Sequence, residues 1–180
     1  MHLHDFKRDY PALNQPLIDW GEIKSRFTLG TTLPPLETIA KVTVVPFFGE
    51  KIIIARMENG KAEIPGGTIE KDEPIHIAAD RELMEEAGAR LTGDLHIYGH
   101  FHCRTSAAEP YRPHMPHPAY TRIIAWAEAE IVGPPTMPPD GEIITAVETL
   151  SIADTIAAFE AENRHDLAEL CKLAVAMRHQ

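Results

Sequence analysis

Glu82, Glu85 and Glu86 are the residues on which chemistry could be built. In a helix of about 3.6 residues per turn, positions i, i+3 and i+4 share one face. Three carboxylates then crowd onto a single turn, and their mutual repulsion opposes the helix. Such crowding is tolerated where a positive charge sits among them, and a hard divalent cation taking oxygen ligands suits an all-carboxylate cluster. Arg81 and Glu73 stand close in sequence, and Ile64-Pro65-Gly66-Gly67 precedes them as a sharp turn. Glycines there let the backbone approach a ligand closely.

The element that must position these carboxylates is a helix over about residues 74–87. Ala79, Leu83 and Ala87 form an apolar stripe beside the acidic face. Pro74 suits the first helical position, where its missing N–H is not needed. Asp72 and Glu73 lie where the helix dipole favours negative charge. Gly88 is placed to stop the helix in a left-handed conformation.

The order is glycine, five residues, glutamate, seven residues, Arg-Glu-hydrophobic, one residue, Glu-Glu, one residue, Gly-hydrophobic. Gly67, Glu73, Arg81, Glu82, Leu83, Glu85, Glu86, Gly88 and Ala89 fill it without exception. In this the chain resembles the Nudix hydrolases. The motif spans 23 of the 180 residues, and the likeness extends loosely over roughly residues 37–150. The resemblance implies an α/β fold, a mixed β-sheet sandwiched between helices. It also implies a hydrolase that breaks a diphosphate linkage in a nucleoside diphosphate derivative or nucleoside triphosphate. Mg2+ would serve as cofactor, with Mn2+ as alternative. Glu82, Glu85 and Glu86 are then the metal ligands, with the Gly67 carbonyl as a further one. Glu82 and Glu85 are the catalytic carboxylates, Glu82 being the first candidate for the base. Asp140 and Glu142, in a Pro-rich loop, are alternative bases, because some relatives place that residue on a distant loop. Glu73 and Arg81 read as a supporting pair that orients the loop on the helix.

Phosphate-gripping candidates are Arg56, Arg104 and Arg112, with Tyr111 as a stacking surface. The last three belong to residues 104–118, a long Pro- and His-containing stretch of the kind that often carries function. His100, His102, Cys103, His114 and His117 raise a rival zinc reading. In a strand, however, His100 and His102 share one face and Cys103 takes the other, so these side chains read better as pocket or surface residues. Two other classes stand beside the hydrolase: a non-catalytic sensor of nucleotide ligands and a prenyl-diphosphate isomerase. An intact motif argues against the sensor. The flanking positions do not name a substrate. Arg104, Thr105 and Ser106 stand where ADP-ribose enzymes tend to carry proline and where dinucleoside polyphosphate enzymes carry tyrosine.

The remaining sequence bounds the context. Hydrophobic residues make up 44% and charged residues 24%, the balance of an ordinary globular domain. A net charge of −10 argues against binding extended nucleic acid, which needs a basic surface. It leaves a small phosphate-bearing substrate open, since bound cations invert the local charge. There is no apolar run long enough to span a bilayer. The beginning of the chain lacks a secretory pattern and the two cysteines, Cys103 and Cys171, show no pairing framework, so the cytoplasm is the expected compartment. Residues 1–36, interrupted by Pro11, Pro16, Pro34 and Pro35, read as an irregular extension packed on a domain covering 37–180, with a short helix or strand over 17–23 and a dimer or substrate contact as the alternative use. Strands are predicted over 38–48, 51–56, within 91–103, over 120–132 and over 143–150. Helices follow over 152–161, capped by Ser151, and 163–178.

Overall fold

The computed structural model describes residues 3–138, 141 and 143–180. In chain order the elements are α1 (Leu3–Asp9), β1 (Ile18–Trp20), β2 (Ile23–Leu29), β3 (Ile39–Phe48), β4 (Lys51–Met57), β5 (Ala62–Glu63) and β6 (Gly66–Thr68). There follow α2 (Ile75–Ala87), β7 (Ala89–Leu91), β8 (His96–Thr105), β9 (Ala119–Ile131), β10 (Ile144–Ser151), α3 (Ile152–Ala161) and α4 (His165–Arg178). The main sheet runs β1-β2-β8-β9-β3-β4-β10. Only the β3–β9 pair among these neighbours is parallel, so the sheet is mixed.

Alternation along the central strands builds two cores. Val42, Val44, Ile53, Ile123 and Ala127 turn to one face and meet Ala79, Leu83 and Ala87 of α2. Val45, Phe47, Ile52, Ile54 and Ile124 turn to the other and meet Phe159 of α3 with Leu170 and Leu173 of α4. The sheet is therefore the middle layer of an α/β/α sandwich. Ile52, Ile53 and Ile54 are all fully buried, the signature of a strand covered on both faces.

The helix that carries the carboxylates starts one residue later than predicted. Pro74 is its N-cap, with ψ 144°, rather than its first helical residue. Gly88, at φ 59°, ends it in the left-handed conformation, its N–H reaching the carbonyls of Leu83 and Met84. Ser151 caps α3 by accepting the Asp154 N–H at 3.1 Å.

The first 36 residues differ from the irregular reading. Residues 18–29 form a hairpin, and β2 pairs with β8 from Ile23–Thr105 to Leu29–Gly99, extending the sheet. Phe6, Tyr10 and Leu13 sit in the α4-side core. Glu169 of α4 accepts the backbone N–H groups of Ala12 and Leu13 at 3.0 and 2.8 Å, tying the arm down.

Candidate active site

The site is built where β6 meets α2. β6 pairs antiparallel with β3, setting Val42 opposite Gly67 and Thr43 opposite Gly66. A Cβ on Gly66 would overlap the Val42 carbonyl and the Thr43 backbone, and one on Gly67 would overlap the Glu82 carboxylate. Gly66 thus lets β6 lie close against β3, and Gly67 lets it lie directly against the acidic turn of α2. The Gly66 N–H donates to Glu86 Oε2 at 2.9 Å, which fixes that carboxylate against the strand.

Arg81 is the positive charge among the carboxylates. Its Nε and Nη2 donate to the two oxygens of Glu73, both at 2.9 Å. Its Nη1 donates to Glu82 Oε1 at 2.9 Å and Glu85 Oε2 at 3.1 Å, while Nη2 also reaches the Thr68 carbonyl at 2.9 Å. One guanidinium therefore links the loop, β6 and the acidic face. Hydrogen bonding to Glu73 is the main reason its own pKa is raised, against burial. Burial works to raise the Glu73 carboxyl, but the Arg81 bond and charge and the Glu70 N–H together outweigh it and hold it below the usual range. Glu82 is 7% exposed, and burial pushes its carboxyl up despite Arg81.

Among the described residues no group of three or more His, Cys, Asp or Glu side chains forms a ready-made metal cage. The donor set nevertheless fits a hard divalent ion: Glu82, Glu85 and Glu86 line one cleft with Gly67, and all would offer oxygen. Arg81 meanwhile occupies the neighbouring charge positions of Glu82 and Glu85.

That cleft encloses about 670 Å3, the size of a small-molecule site. Tyr111 and Arg112 line it. The stretch between β8 and β9 reaches it because His114 Nε2 lies 2.9 Å from the Ile69 carbonyl and Met115 is buried in the core. Two substrate-binding expectations are corrected. Arg56 lies outside the cleft and is committed to Glu148 and Glu162, each at 3.0 Å, tying β4 to β10 and the end of α3. Arg104 is an exposed residue of β8, not one of the cleft walls. Asp140 and Glu142 fall outside the described residues.

The zinc reading also loses its cluster. His100 and His102 meet at 3.1 Å between their Nε2 atoms, while Cys103 is buried in the opposite core. His117 is 2.9 Å from the Ala107 carbonyl, and His114 serves the Ile69 contact.

Sequence reasoning missed Lys41, Arg122, Trp20 and Arg164, which also line the cleft. Lys41 and Arg122 had a signal: each is a lone cation inside a β-branched, otherwise apolar run. Lys41 Nζ and the Arg112 guanidinium stand 5.3 and 5.1 Å from the Tyr111 ring centre, within cation–π range. Trp20 had a weaker one: it lies in the 17–23 segment of the arm, whose alternative use is a dimer or substrate contact.

A carboxylate-bearing helix packed on a glycine strand, within a mixed sheet between helices, defines the Nudix class. The profile of the NUDIX domain matches residues 38–170, and the chain belongs to the Nudix hydrolase family. It is 39% identical over 64 residues to a MutT-like protein of Streptomyces ambofaciens, covering 35% of this chain and 42% of that protein. The chain thus matches less than half the length of that relative. Among solved structures it is similar to the pyrophosphohydrolase BsRppH of Bacillus subtilis, with TM-score 0.55 and 20% identity over 76% of this chain and 77% of that one. A NUDIX hydrolase from Nitrosomonas europaea gives TM-score 0.56 and 21% identity over 76% and 87%. An ADP compounds hydrolase gives 0.51 and 20% over 77% and 73%. At such identities the structural likeness establishes the fold.

Proposed function

We propose that the chain is a Mg2+-dependent hydrolase of the diphosphate linkage in a nucleoside diphosphate derivative or nucleoside triphosphate. One observation carries this reading: a single cleft is lined by carboxylates, glycine backbone, cations and aromatic rings together. A phosphate chain joined to a planar group is the ligand such a cleft complements. A bound Mg2+ would neutralise phosphate charge and acidify a water.

The chain's own residues do the rest. Glu82, Glu85, Glu86 and the Gly67 carbonyl would hold the ion, and Arg81 with Glu73 holds their helix and loop in register. Glu82 is the first candidate to take the proton of the attacking water, with Glu85 beside it and Asp140 or Glu142 as alternatives. Arg112 would bind phosphate oxygens and Tyr111 would stack on a base or sugar. Mn2+ is the substitute ion, the cytoplasm the compartment and a homodimer the candidate assembly. The free, buried Cys103 and Cys171 agree with a reducing compartment, and no helix among the described residues is long and apolar enough to cross a membrane.

Glu86→Gln tests the reading because it keeps shape and removes charge. It should lower kcat by roughly 10^2-fold or more with unchanged far-UV circular dichroism. Full activity in this variant, or in excess chelator, contradicts it.

A further inference from the structure

The family match begins at residue 38, yet part of the cleft wall comes from upstream. Trp20 and Ile23, the last and first residues of the paired strands β1 and β2, both line it. Trp20 is held from three sides. Its Nε1–H donates to Asp166 Oδ2 at 2.9 Å, a buried carboxylate in the first turn of α4. Its ring meets Phe101 edge-on, with centroids 4.9 Å apart and planes at 68°. The Arg122 guanidinium stands 5.5 Å from its centre. The tight turn beside it is closed by Gly21, at φ 79°, whose N–H reaches Asp19 Oδ1 at 2.8 Å.

The Asp166 carboxylate satisfies the indole N–H and fixes the orientation of the ring. The same cleft is lined by Ile23, Ile124, Leu167 and Leu170; the Arg122 guanidinium lies over the ring, and Arg164 Nε stands 3.5 Å from Oδ1 of the Asp166 that holds it. An oriented aromatic wall with a guanidinium over it suits a flat heterocycle. Aromatic side chains hold bases by stacking and arginine adds cation–π attraction. We propose that Trp20 is the nucleobase-recognition residue of this cleft, so that the hairpin over residues 18–29 sets substrate specificity. This rests on the diphosphate hydrolase reading above.

The test uses the full chain with Mg2+ and non-hydrolysable probes: the α,β-methylene analogues of ADP, GDP, CDP and UDP, and methylenediphosphonate, which lacks a base. At least one nucleotide should bind about tenfold or more tightly than methylenediphosphonate. Trp20→Ala should abolish that advantage and leave methylenediphosphonate affinity unchanged; Trp20→Phe should keep most of it. In the wild type, that nucleotide should quench tryptophan emission and methylenediphosphonate should not. The other tryptophan, Trp126, is stacked on His96 and does not line the cleft. The emission result therefore decides even if Trp20→Ala does not fold. The proposal is overturned if the advantage survives Trp20→Ala, if no nucleotide exceeds methylenediphosphonate, or if emission does not respond. Failure of every probe to bind, methylenediphosphonate included, would overturn the hydrolase reading as well.

Discussion

Replacing Arg81 with alanine removes the one cation that Glu73, Glu82 and Glu85 share. The side chains involved are well covered: 27% exposed for Arg81, 11% for Glu73, 9% for Glu82 and 21% for Glu85. Breaking a fully buried pair and stranding its partner costs about 3–5 kcal/mol. The partial exposure of Arg81 lets water screen some of this, so about 3 kcal/mol is the working figure. For a chain of this length, 1 kcal/mol moves the midpoint by about 2–4 °C, giving a loss of about 6–12 °C. The assay is thermal unfolding by circular dichroism in chelator, so that no bound ion replaces the missing charge. A cycle with Glu73→Gln should show a coupling of about 1–3 kcal/mol, since the pair makes two of the five Arg81 bonds. A midpoint within about 1 °C of wild type, or additive effects of Arg81→Ala and Glu73→Gln, would refute the counter-charge account and leave Arg81 an ordinary surface arginine.

Two further outcomes follow from named contacts. Arg112→Ala should raise KM by about tenfold with little change in kcat, because the phosphate contact is shared by ground and transition states; steady-state kinetics reads the split. Ser151→Ala removes the acceptor of the Asp154 N–H and should cost about 1 kcal/mol in denaturant unfolding, with activity unchanged.

Helix α2 was legible because three independent signals agree there: the Ala79–Leu83–Ala87 stripe, Pro74 at the start and Gly88 at the end. Strands β3 and β4 were legible from their β-branched runs, and α3 from Ser151. The layering came from the family resemblance. The edge hairpin was not read, although Ile23, Ser25, Phe27 and Leu29 alternate with Lys24, Arg26 and Thr28. Flanking prolines made the arm look irregular, and its partner β8 lies some 75 residues away, a non-local pairing that propensity does not encode. Arg56 misled for a similar reason. Its partners Glu148 and Glu162 are distant in sequence, and nothing near Arg56 announces that its charge is already used. The adjacency of Arg81 to the carboxylates was visible, but the reach of one guanidinium to Glu73, Glu82, Glu85 and the Thr68 carbonyl depends on β6 lying against α2.

The hydrolase reading has this cleft add water across a diphosphate linkage with a divalent ion held by Glu82, Glu85 and Glu86. Its most direct test is turnover of a panel of nucleoside diphosphate derivatives and triphosphates with Mg2+ in 18O-labelled water, followed by mass spectrometry of the products. One 18O atom should enter a phosphate product per cleavage, and no product should form in excess chelator. Tight nucleotide binding without turnover across the panel would contradict it in favour of a sensor, and chelator-resistant cleavage would contradict the role of the carboxylates.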